Sequence, residues 1–304
     1  MKVNSVIVAS PGINGMVRRA NLRSGLFWLV LPLLILLMTG CAGKPWTTPV
    51  TDAETAVITQ TFKEMQQRDD SCPRCLDAKA TLYWDGPGED RAVSGFFLLM
   101  LPASVKFVVT NPLGQPLYAV VSNGQGFQSI NTTLKQHVSG ELSDLMRQYD
   151  IPESLLSAHW GYWLLGRLHE RGAMIEAISQ DESGRGVWVT LRYPDEEALA
   201  KCHLLMQPDG KKLLARVLVD RQGDTVATLS YDYGTSRDNC PSVSRISVTG
   251  LPYGSRLNID FAEILTDRIL SDADFRLKVP ANYEVLETGD RGRVTVGSDQ
   301  EDED

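Results

Sequence analysis

The chain has 304 residues, of which 43% are hydrophobic and 8% aromatic, and this composition excludes a disordered protein. Residues 1–40 contain four basic and no acidic residues, so the remainder carries 26 basic against 38 acidic side chains, a net charge of −12. So acidic a chain does not bind nucleic acid or anionic headgroups through bulk charge. We therefore expect no nucleic-acid partner, and attachment to a membrane needs another cause.

Residues 1–40 have the organisation of an export signal. Arg18, Arg19 and Arg23 precede a thirteen-residue apolar run over 26–38. A membrane-spanning helix needs about twenty apolar residues, so this run fits the apolar region of a signal peptide better. The sequence therefore predicts a signal peptide over residues 1–40.

The last residue of the apolar run and the three residues after it resemble the cleavage box of bacterial lipoproteins. Met38-Thr39-Gly40-Cys41 places small residues before a cysteine, although the usual leucine is a methionine here. We expect Cys41 to become the first residue, acylated with chains such as palmitate, and residues 41–51 to form a tether. Two or more acyl chains give stable anchoring. Ala42 stands where sorted lipoproteins retained at the inner membrane have aspartate, so we expect the outer membrane, facing the periplasm.

Four further cysteines fit an exported protein. An even number in an oxidising compartment indicates two disulfides among Cys72, Cys75, Cys202 and Cys240. The Cys72-Pro-Arg-Cys75 spacing also occurs in redox dithiols and in half of a zinc site. Here it lies between a predicted helix and a predicted strand, without the alternating strands and helices that accompany a redox motif. We expect structural bonds, paired locally as Cys72–Cys75 and Cys202–Cys240, and no metal.

The rest of the chain predicts a mostly β protein. A helix over 52–68 is followed by short runs of β-branched and aromatic residues separated by Gly, Pro and Asn. Two further helices are predicted over 141–149 and 152–168. Strands are predicted at 78–84, 92–101, 104–110, 116–122, 126–130, 172–179, 186–193, 198–207, 212–220, 224–233, 243–250, 255–263 and 275–279.

This order of elements predicts an α+β fold in which one antiparallel sheet curls around helices. Helices do not alternate with strands, which excludes a parallel sheet. We assign residues 52–286 to this domain. The acidic residues 287–304 are predicted to be a disordered tail.

Two segments are too apolar for half-buried elements. Residues 96–101 are apolar on both faces of the predicted strand, and the helix over 152–168 is apolar around most of its circumference. Ordinary core packing explains both. The alternative is an apolar cavity large enough for an acyl chain. The candidate lining residues are Phe97, Leu99, Leu155, Trp160 and Trp163.

Several motifs resemble the family of the outer-membrane lipoprotein receptor LolB, which shares a fold with the carrier LolA. Thr110-Asn111-Pro112-Leu113-Gly114 lies between two predicted strands, and Trp163-Leu164-Leu165-Gly166 ends the apolar helix. A later strand contains Tyr231-Asp232-Tyr233. The resemblance covers roughly residues 54–265. The cysteines depart from the receptor pattern, and residues 275–280 look more like the end of the carrier.

The resemblance implies a half-barrel of about eleven strands with a helical lid, whose apolar hollow holds lipoprotein acyl chains. The family role of the leucine in the Asn-Pro-Leu-Gly turn falls on Leu113, as a membrane-inserting tip. The implied partners are lipoprotein acyl chains or other lipid, and a periplasmic LolA-like carrier. We expect a monomer without a cofactor.

Catalysis has little support in the sequence. The four histidines are scattered and form neither a metal-binding pair nor a nucleophile motif, so we expect no enzyme. Three functions remain: a LolB-like receptor, a general lipid carrier on the same fold, and a structural envelope lipoprotein whose interior is only core.

Overall fold

One large open sheet dominates the structure, a computed structural model that describes residues 44–148, 151–152, 155, 160–170, 172–194, 199–235, 239–288 and 294–296. Sixteen strands pair in the order β1-β8-β9-β10-β11-β12-β13-β14-β2-β3-β4-β5-β6-β7-β15-β16. Every neighbouring pair is antiparallel except β7 with β15, which is parallel. The predicted mostly β, antiparallel fold is confirmed.

The strands are β1 (Thr48–Pro49), β2 (Cys75–Gly86), β3 (Glu89–Met100), β4 (Ser104–Thr110), β5 (Pro116–Ser122), β6 (Gly126–Asn131), β7 (Gln136–Glu141), β8 (Met174–Gln180), β9 (Val187–Arg192), β10 (Lys201–Met206), β11 (Leu213–Val219), β12 (Thr225–Tyr233), β13 (Val243–Thr249), β14 (Arg256–Leu265), β15 (Glu284–Thr288) and β16 (Val294–Val296). The helices are α1 (Asp52–Ser71), α2 (Leu142–Gln148) and α3 (Trp160–Leu164), with short 3₁₀ turns at Pro252–Gly254 and Asp272–Phe275.

The first helix begins where its sequence predicts. Thr51 caps it: the side-chain oxygen accepts from the N–H of Glu54 at 3.3 Å, and Glu54 accepts in return from the Thr51 N–H at 2.8 Å. This reciprocal box satisfies N–H groups that the first turn leaves unpaired. One side of the helix then packs against the sheet through Phe62 and Met65, which are buried.

The concave face of the sheet carries the main hydrophobic core. Alternate residues of β2, β3 and β4 point to this face, among them Ala78, Phe97 and Phe107, which lie opposite one another in the strand register. The same cluster continues through β9 to β14 and includes side chains from α1 and α3. Helices therefore cover the concave face, as a half-barrel requires.

The convex face has a smaller cluster of its own. Trp188, Leu205 and Val217 are buried there, and Trp46 packs against them. Trp46 stacks on the ring of His203 at a centroid distance of 4.0 Å and meets the ring of Trp188 edge-on at 5.2 Å. The predicted tether is thus fastened to the sheet from Trp46 onward, since Thr48–Pro49 also pairs with β8.

The ends of the sheet differ from the sequence prediction. The sheet has sixteen strands, whereas the sequence predicted thirteen and the resemblance implied about eleven; β1, β7, β15 and β16 were not predicted because they carry no strong apolar alternation. The predicted strand over 275–279 is wrong: Asp272–Phe275 is a 3₁₀ turn, and no strand follows it before Glu284.

The outer boundaries of the domain are also changed. β15 and β16 fall partly within the range predicted to be a disordered tail, so the sheet extends past residue 286. Residues 1–43, 289–293 and 297–304 lie outside the described part of the chain, and with them Cys41 and the predicted signal peptide.

Candidate functional site

The five predicted cavity residues meet in one place, the core on the concave face. Phe97, Leu99 and Trp163 are buried in it, and Leu155 and Trp160 pack against it partly buried. The Phe97 ring lies 5.4 Å from the ring of Phe261 and 6.4 Å from that of Phe107. The sequence therefore identified side chains from one strand, β3, and from the distant segment around α3 that share a single apolar interior. That they line a cavity stays a prediction.

Residues 160–170, here called the covering segment, lie over this interior. The segment begins with α3, whose Gly161 N–H donates to the Pro102 carbonyl at 3.0 Å. A Cβ at Gly161 would stand 2.4 Å from that carbonyl oxygen, so the close approach requires glycine. The start of α3 thus rests directly on the β3–β4 turn.

The Trp-Leu-Leu-Gly motif ends α3 for a physical reason. Gly166 has φ +59°, and a Cβ there would lie 2.7 Å from the Tyr233 hydroxyl oxygen. That hydroxyl lies 3.2 Å from the Gly166 carbonyl and donates to the Leu213 carbonyl at 2.7 Å. Two of the three motifs in the family resemblance, Trp163–Gly166 and Tyr231–Tyr233, are therefore in contact.

A buried ion pair joins the covering segment to the sheet. Arg216 of β11 is fully buried and donates to the carboxylate of Glu170, which also accepts from the Tyr193 hydroxyl. Arg216 donates further to the Arg167 carbonyl at 3.0 Å, and its guanidinium lies 5.3 Å from the Trp163 ring centroid. Burial is the largest effect on the pKa of Arg216 and lowers it, but the Glu170 carboxylate together with Cys202, Tyr231 and Tyr193 holds this pKa above its ordinary value.

A second buried carboxylate joins the covering segment to α1. Asp69 accepts from the Leu168 N–H at 2.9 Å and from Arg68 at 2.7 Å. Burial raises the pKa of Asp69, against the opposing effect of these donors. Arg167 donates to the Pro73 carbonyl at 2.6 Å. Polar bonds thus hold both ends of residues 167–170 over the apolar interior.

The predicted disulfide pairing is wrong. Cys72 bonds to Cys240, with Cα atoms 5.7 Å apart, while Cys75 and Cys202 are free thiols. Cys72 ends α1, and Cys240 lies in the β12–β13 connection, so the bond ties that helix to the sheet. Cys202 lies in β10, with Sγ 3.9 Å from an Arg216 nitrogen, and burial raises its pKa to about 12. Cys202 lies in the core on the concave face, whereas Cys240 lies in the β12–β13 connection and is bonded to Cys72 at the end of α1.

Leu113 lies at the end of the β4–β5 hairpin and is 84% exposed. Asn111 builds the turn: its side-chain oxygen accepts from the N–H groups of Leu113 at 3.0 Å and Gln115 at 2.9 Å. Gly114 takes φ +79°, which glycine adopts without strain. Leu113 is therefore a surface residue and not part of the core.

A separate groove of about 560 Å³ lies at the opposite end of the same strands. Its lining combines the polar side chains of Asn123, Gln128, Asp272 and Arg276 with apolar surface that includes Phe127 and Phe275. None of the five predicted cavity residues lines it.

The described residues contain no group of three or more His, Cys, Asp or Glu side chains arranged to hold a metal ion. Within the same residues, no helix combines the length and apolar character needed to cross a bilayer.

Sequence reasoning missed Arg216, Glu170, Asp69 and Trp46. Arg216 had a usable signal, because it is the one charged residue in the otherwise apolar run Leu213–Val219. Nothing near Glu170 or Asp69 distinguishes them from ordinary surface carboxylates. Their partners come from elements far away in the chain.

The curved sheet, the apolar concave face and the helical cover define a LolA-like fold. No protein-family model matches the sequence, and no curated protein matches it significantly. Among solved structures, the chain is similar to a LolA superfamily protein from Nitrosomonas europaea, with TM-score 0.50 and 12% identity over 71% of this chain and 97% of that one. It is also similar to a putative outer membrane lipoprotein-sorting protein domain from Vibrio parahaemolyticus, with TM-score 0.52 and 13% identity over 70% and 94%.

A third structure has the same fold. It is a DUF1329 family protein from Desulfovibrio piger, with TM-score 0.54 and 13% identity over 76% of this chain and 98% of that one. Because the identities are only 12–13%, these similarities establish the fold and do not by themselves establish the function.

Proposed function

We propose that this protein is a lipid-anchored carrier that holds acyl chains of lipoproteins in its concave interior and delivers them to the outer membrane, as a LolB-like receptor does. The observation that carries the proposal is the apolar concave face beneath the covering segment. Phe97, Leu99 and Trp163 meet there, on the fold of a lipoprotein-sorting domain.

The proposal places the protein in the periplasm, attached through acylated Cys41, as a monomer without catalytic activity that receives its cargo from a LolA-like carrier. The acidic mature chain supports an acyl anchor over attachment by charge. The exposed Leu113 supports delivery into a bilayer, because an apolar side chain at a hairpin end can enter lipid without disturbing the core.

For cargo to enter, the covering segment must separate from the sheet. Burying a sixteen-carbon chain yields at most about 12 kcal/mol, at roughly 0.8 kcal/mol per methylene. Part of this free energy is spent on displacing the Arg216 and Asp69 contacts and on lost chain freedom. We expect micromolar affinity for a fatty-acid probe, about 8 kcal/mol, which still permits release.

A structural envelope lipoprotein is the second candidate. The bonds that favour it are the Cys72–Cys240 disulfide and the Arg216–Glu170 ion pair, which fasten α1 and the covering segment over the interior. On this alternative the covering segment never opens, and no acyl chain binds.

A photoreactive fatty acid distinguishes the two candidates. We expect saturable labelling of the purified full chain, displaced by a lipopeptide, with modified peptides from the concave side of β2 and β3 and from the covering segment. Labelling that does not saturate, or that falls on the convex cluster around Trp188, would overturn the carrier proposal.

Two buried tryptophans provide a matched pair of variants. Trp163 lies in the concave core and Trp188 in the convex cluster, and both are less than 10% exposed. Both changes to alanine should destabilise the protein by a few kcal/mol. Only Trp163→Ala should weaken probe binding.

In cells, depletion of a LolB-like receptor should leave lipoproteins in the periplasm, whereas depletion of a general lipid carrier should not.

A further inference from the structure

The β6–β7 turn is built like the turn that carries Leu113. Asn131 accepts through its side-chain oxygen from the N–H groups of Thr133 at 3.1 Å and Leu134 at 3.0 Å. Leu134 is 63% exposed. In both turns an asparagine satisfies the backbone and leaves a leucine directed into solvent.

Hydrogen bonds hold these two turns side by side. The Thr132 N–H donates to the Leu117 carbonyl at 3.0 Å, and its hydroxyl lies 2.9 Å from both the Leu117 and the Pro116 carbonyl oxygens. Between the two leucines, Leu117 is 41% and Tyr118 38% exposed. We call the surface formed by Leu113, Leu117, Tyr118 and Leu134 the paired tip.

The charge of the paired tip differs from that of the rest of the chain. Residues 111–118 and 131–135 contain no carboxylate and one cation, Lys135, in a chain of 38 acidic residues. In an antiparallel sheet alternate hairpins point to the same end, so the β2–β3 turn lies at this end too. That turn is acidic over residues 85–90. Carboxylates are thus present at this end but absent from the two leucine turns.

We propose that the paired tip is a membrane-docking surface in which Leu134 enters the bilayer together with Leu113. The inference rests on the proposed function, because delivery is what brings this end of the sheet to lipid. A lipid surface fits better than a protein partner. A stable protein interface buries about 800 Å² on each side. The four side chains of the paired tip offer a smaller area than this. The two leucine turns also add no carboxylate of their own for anionic headgroups to repel.

A dye attached at position 134 tests the proposal directly. Leu134→Cys is labelled with an environment-sensitive fluorophore in a Cys75→Ser background, and the full chain is reconstituted into phosphatidylethanolamine–phosphatidylglycerol vesicles containing nitroxide-labelled lipid. We expect a blue-shifted emission and strong quenching. Ile269→Cys is the matched control, since Ile269 is 94% exposed and follows β14, whose last residue pairs near the start of β2 at the other end of the sheet.

A substitution series tests whether insertion serves delivery. We expect Leu134→Glu to slow transfer of a bound fatty-acid probe to vesicles at least about tenfold, because a carboxylate resists entry into lipid. Leu134→Phe should retain transfer, and Ile269→Glu should leave it unchanged. Thermal melting should be the same for all three, since exposed turn side chains contribute little to stability.

Probe binding in solution separates the two proposals. If the wild-type chain binds the probe but the dye at 134 is quenched no more than the dye at 269, or Leu134→Glu transfers normally, the docking inference is overturned and the carrier proposal stands. If the wild-type chain binds no probe, the carrier proposal fails whatever the dye reports. Quenching at 134 in that case would still support the docking surface.

Discussion

Arg216 and Glu170 form an ion pair inside the hydrophobic interior, although 46 residues separate them in sequence. One residue comes from the middle of β11 and the other from the end of the covering segment. The pair therefore connects the sheet to the segment that must move if cargo is to enter.

Breaking this ion pair from one side should be costly. Glu170→Gln or Arg216→Met leaves a buried charge without its partner, and we expect a loss of about 3–5 kcal/mol in unfolding free energy. The double variant Glu170→Gln/Arg216→Met should recover a large part of that loss, which urea denaturation measures. Equal destabilisation by the single and double variants would show that the two charges are not coupled. Arg245→Met, which breaks an exposed pair with Asp260, is the control and should cost under about 1 kcal/mol.

Removing the Cys72–Cys240 bond should destabilise the fold strongly. It closes a loop with a sequence separation of 168 residues, and the chain-entropy model then gives roughly 5 kcal/mol, an upper value. We expect Cys240→Ser to lower the melting temperature to that of the reduced wild-type chain. Cys75→Ser and Cys202→Ser should leave the bond intact under non-reducing peptide mapping. A Cys72–Cys75 peptide from the wild-type chain would refute the pairing.

Stability should fall on mild acidification because of His137. This side chain of β7 is buried, and neither ring nitrogen has a hydrogen-bond partner among the described residues. Burial lowers the pKa of His137 below its ordinary value near 6.5, so the unfolded chain binds a proton more readily than the folded chain. The destabilisation caused by this difference in pKa is therefore absent well above pH 6.5. It grows as the pH falls toward the lowered pKa, and the unfolding free energy then decreases by at most about 1.4 kcal/mol per pH unit.

The variant His137→Leu should remove this part of the pH dependence. Denaturation at pH 7.5 and pH 5.5 should show a smaller difference for the variant than for the wild-type chain. Because Val285 of β15 lies opposite His137 in the parallel ladder, the protection factors of β15 amides, corrected for the intrinsic pH dependence of exchange, should also fall at the lower pH in the wild-type chain. An identical pH dependence in both proteins would contradict the assignment.

Gly161 should control how readily the covering segment leaves the sheet. In Gly161→Ala the added methyl group would collide with the Pro102 carbonyl. Overpacking of this kind typically lowers the unfolding free energy by about 1–3 kcal/mol. We expect faster association of a fatty-acid probe, because the closed state is weakened. Gly234→Ala is the control, since its nearest neighbour would be 3.7 Å away. Unchanged association kinetics in a destabilised Gly161→Ala would indicate that cargo does not enter under α3.

Much of the fold was predictable because its signals are local. The β-branched composition of residues 104–110 and 116–122 predicts strands, and the structure has strands with those bounds; α1 also begins at Asp52, as predicted. The turn that exposes Leu113 follows from three residues close together in the sequence. Asn111 accepts hydrogen bonds from the turn backbone, Pro112 restricts φ, and Gly114 adopts a positive φ. The short strands β1, β15 and β16 were missed, because they depend on a neighbouring strand more than on their own composition.

Tertiary structure alone decided which side chains meet. Local loop closure favoured a Cys72–Cys75 bond, but the sheet places the β12–β13 connection beside the end of α1 and Cys202 inside the concave face. The charges of Glu170 and Asp69 look like surface charges until the covering segment folds over them and removes water. The sequence by itself determined most of the strands, the turn that carries Leu113 and the apolar segments, since these follow from short-range conformational preference and periodicity. The buried ion pair, the disulfide and the paired tip arise between elements distant in the chain, where the packing of the whole sheet selects the partners.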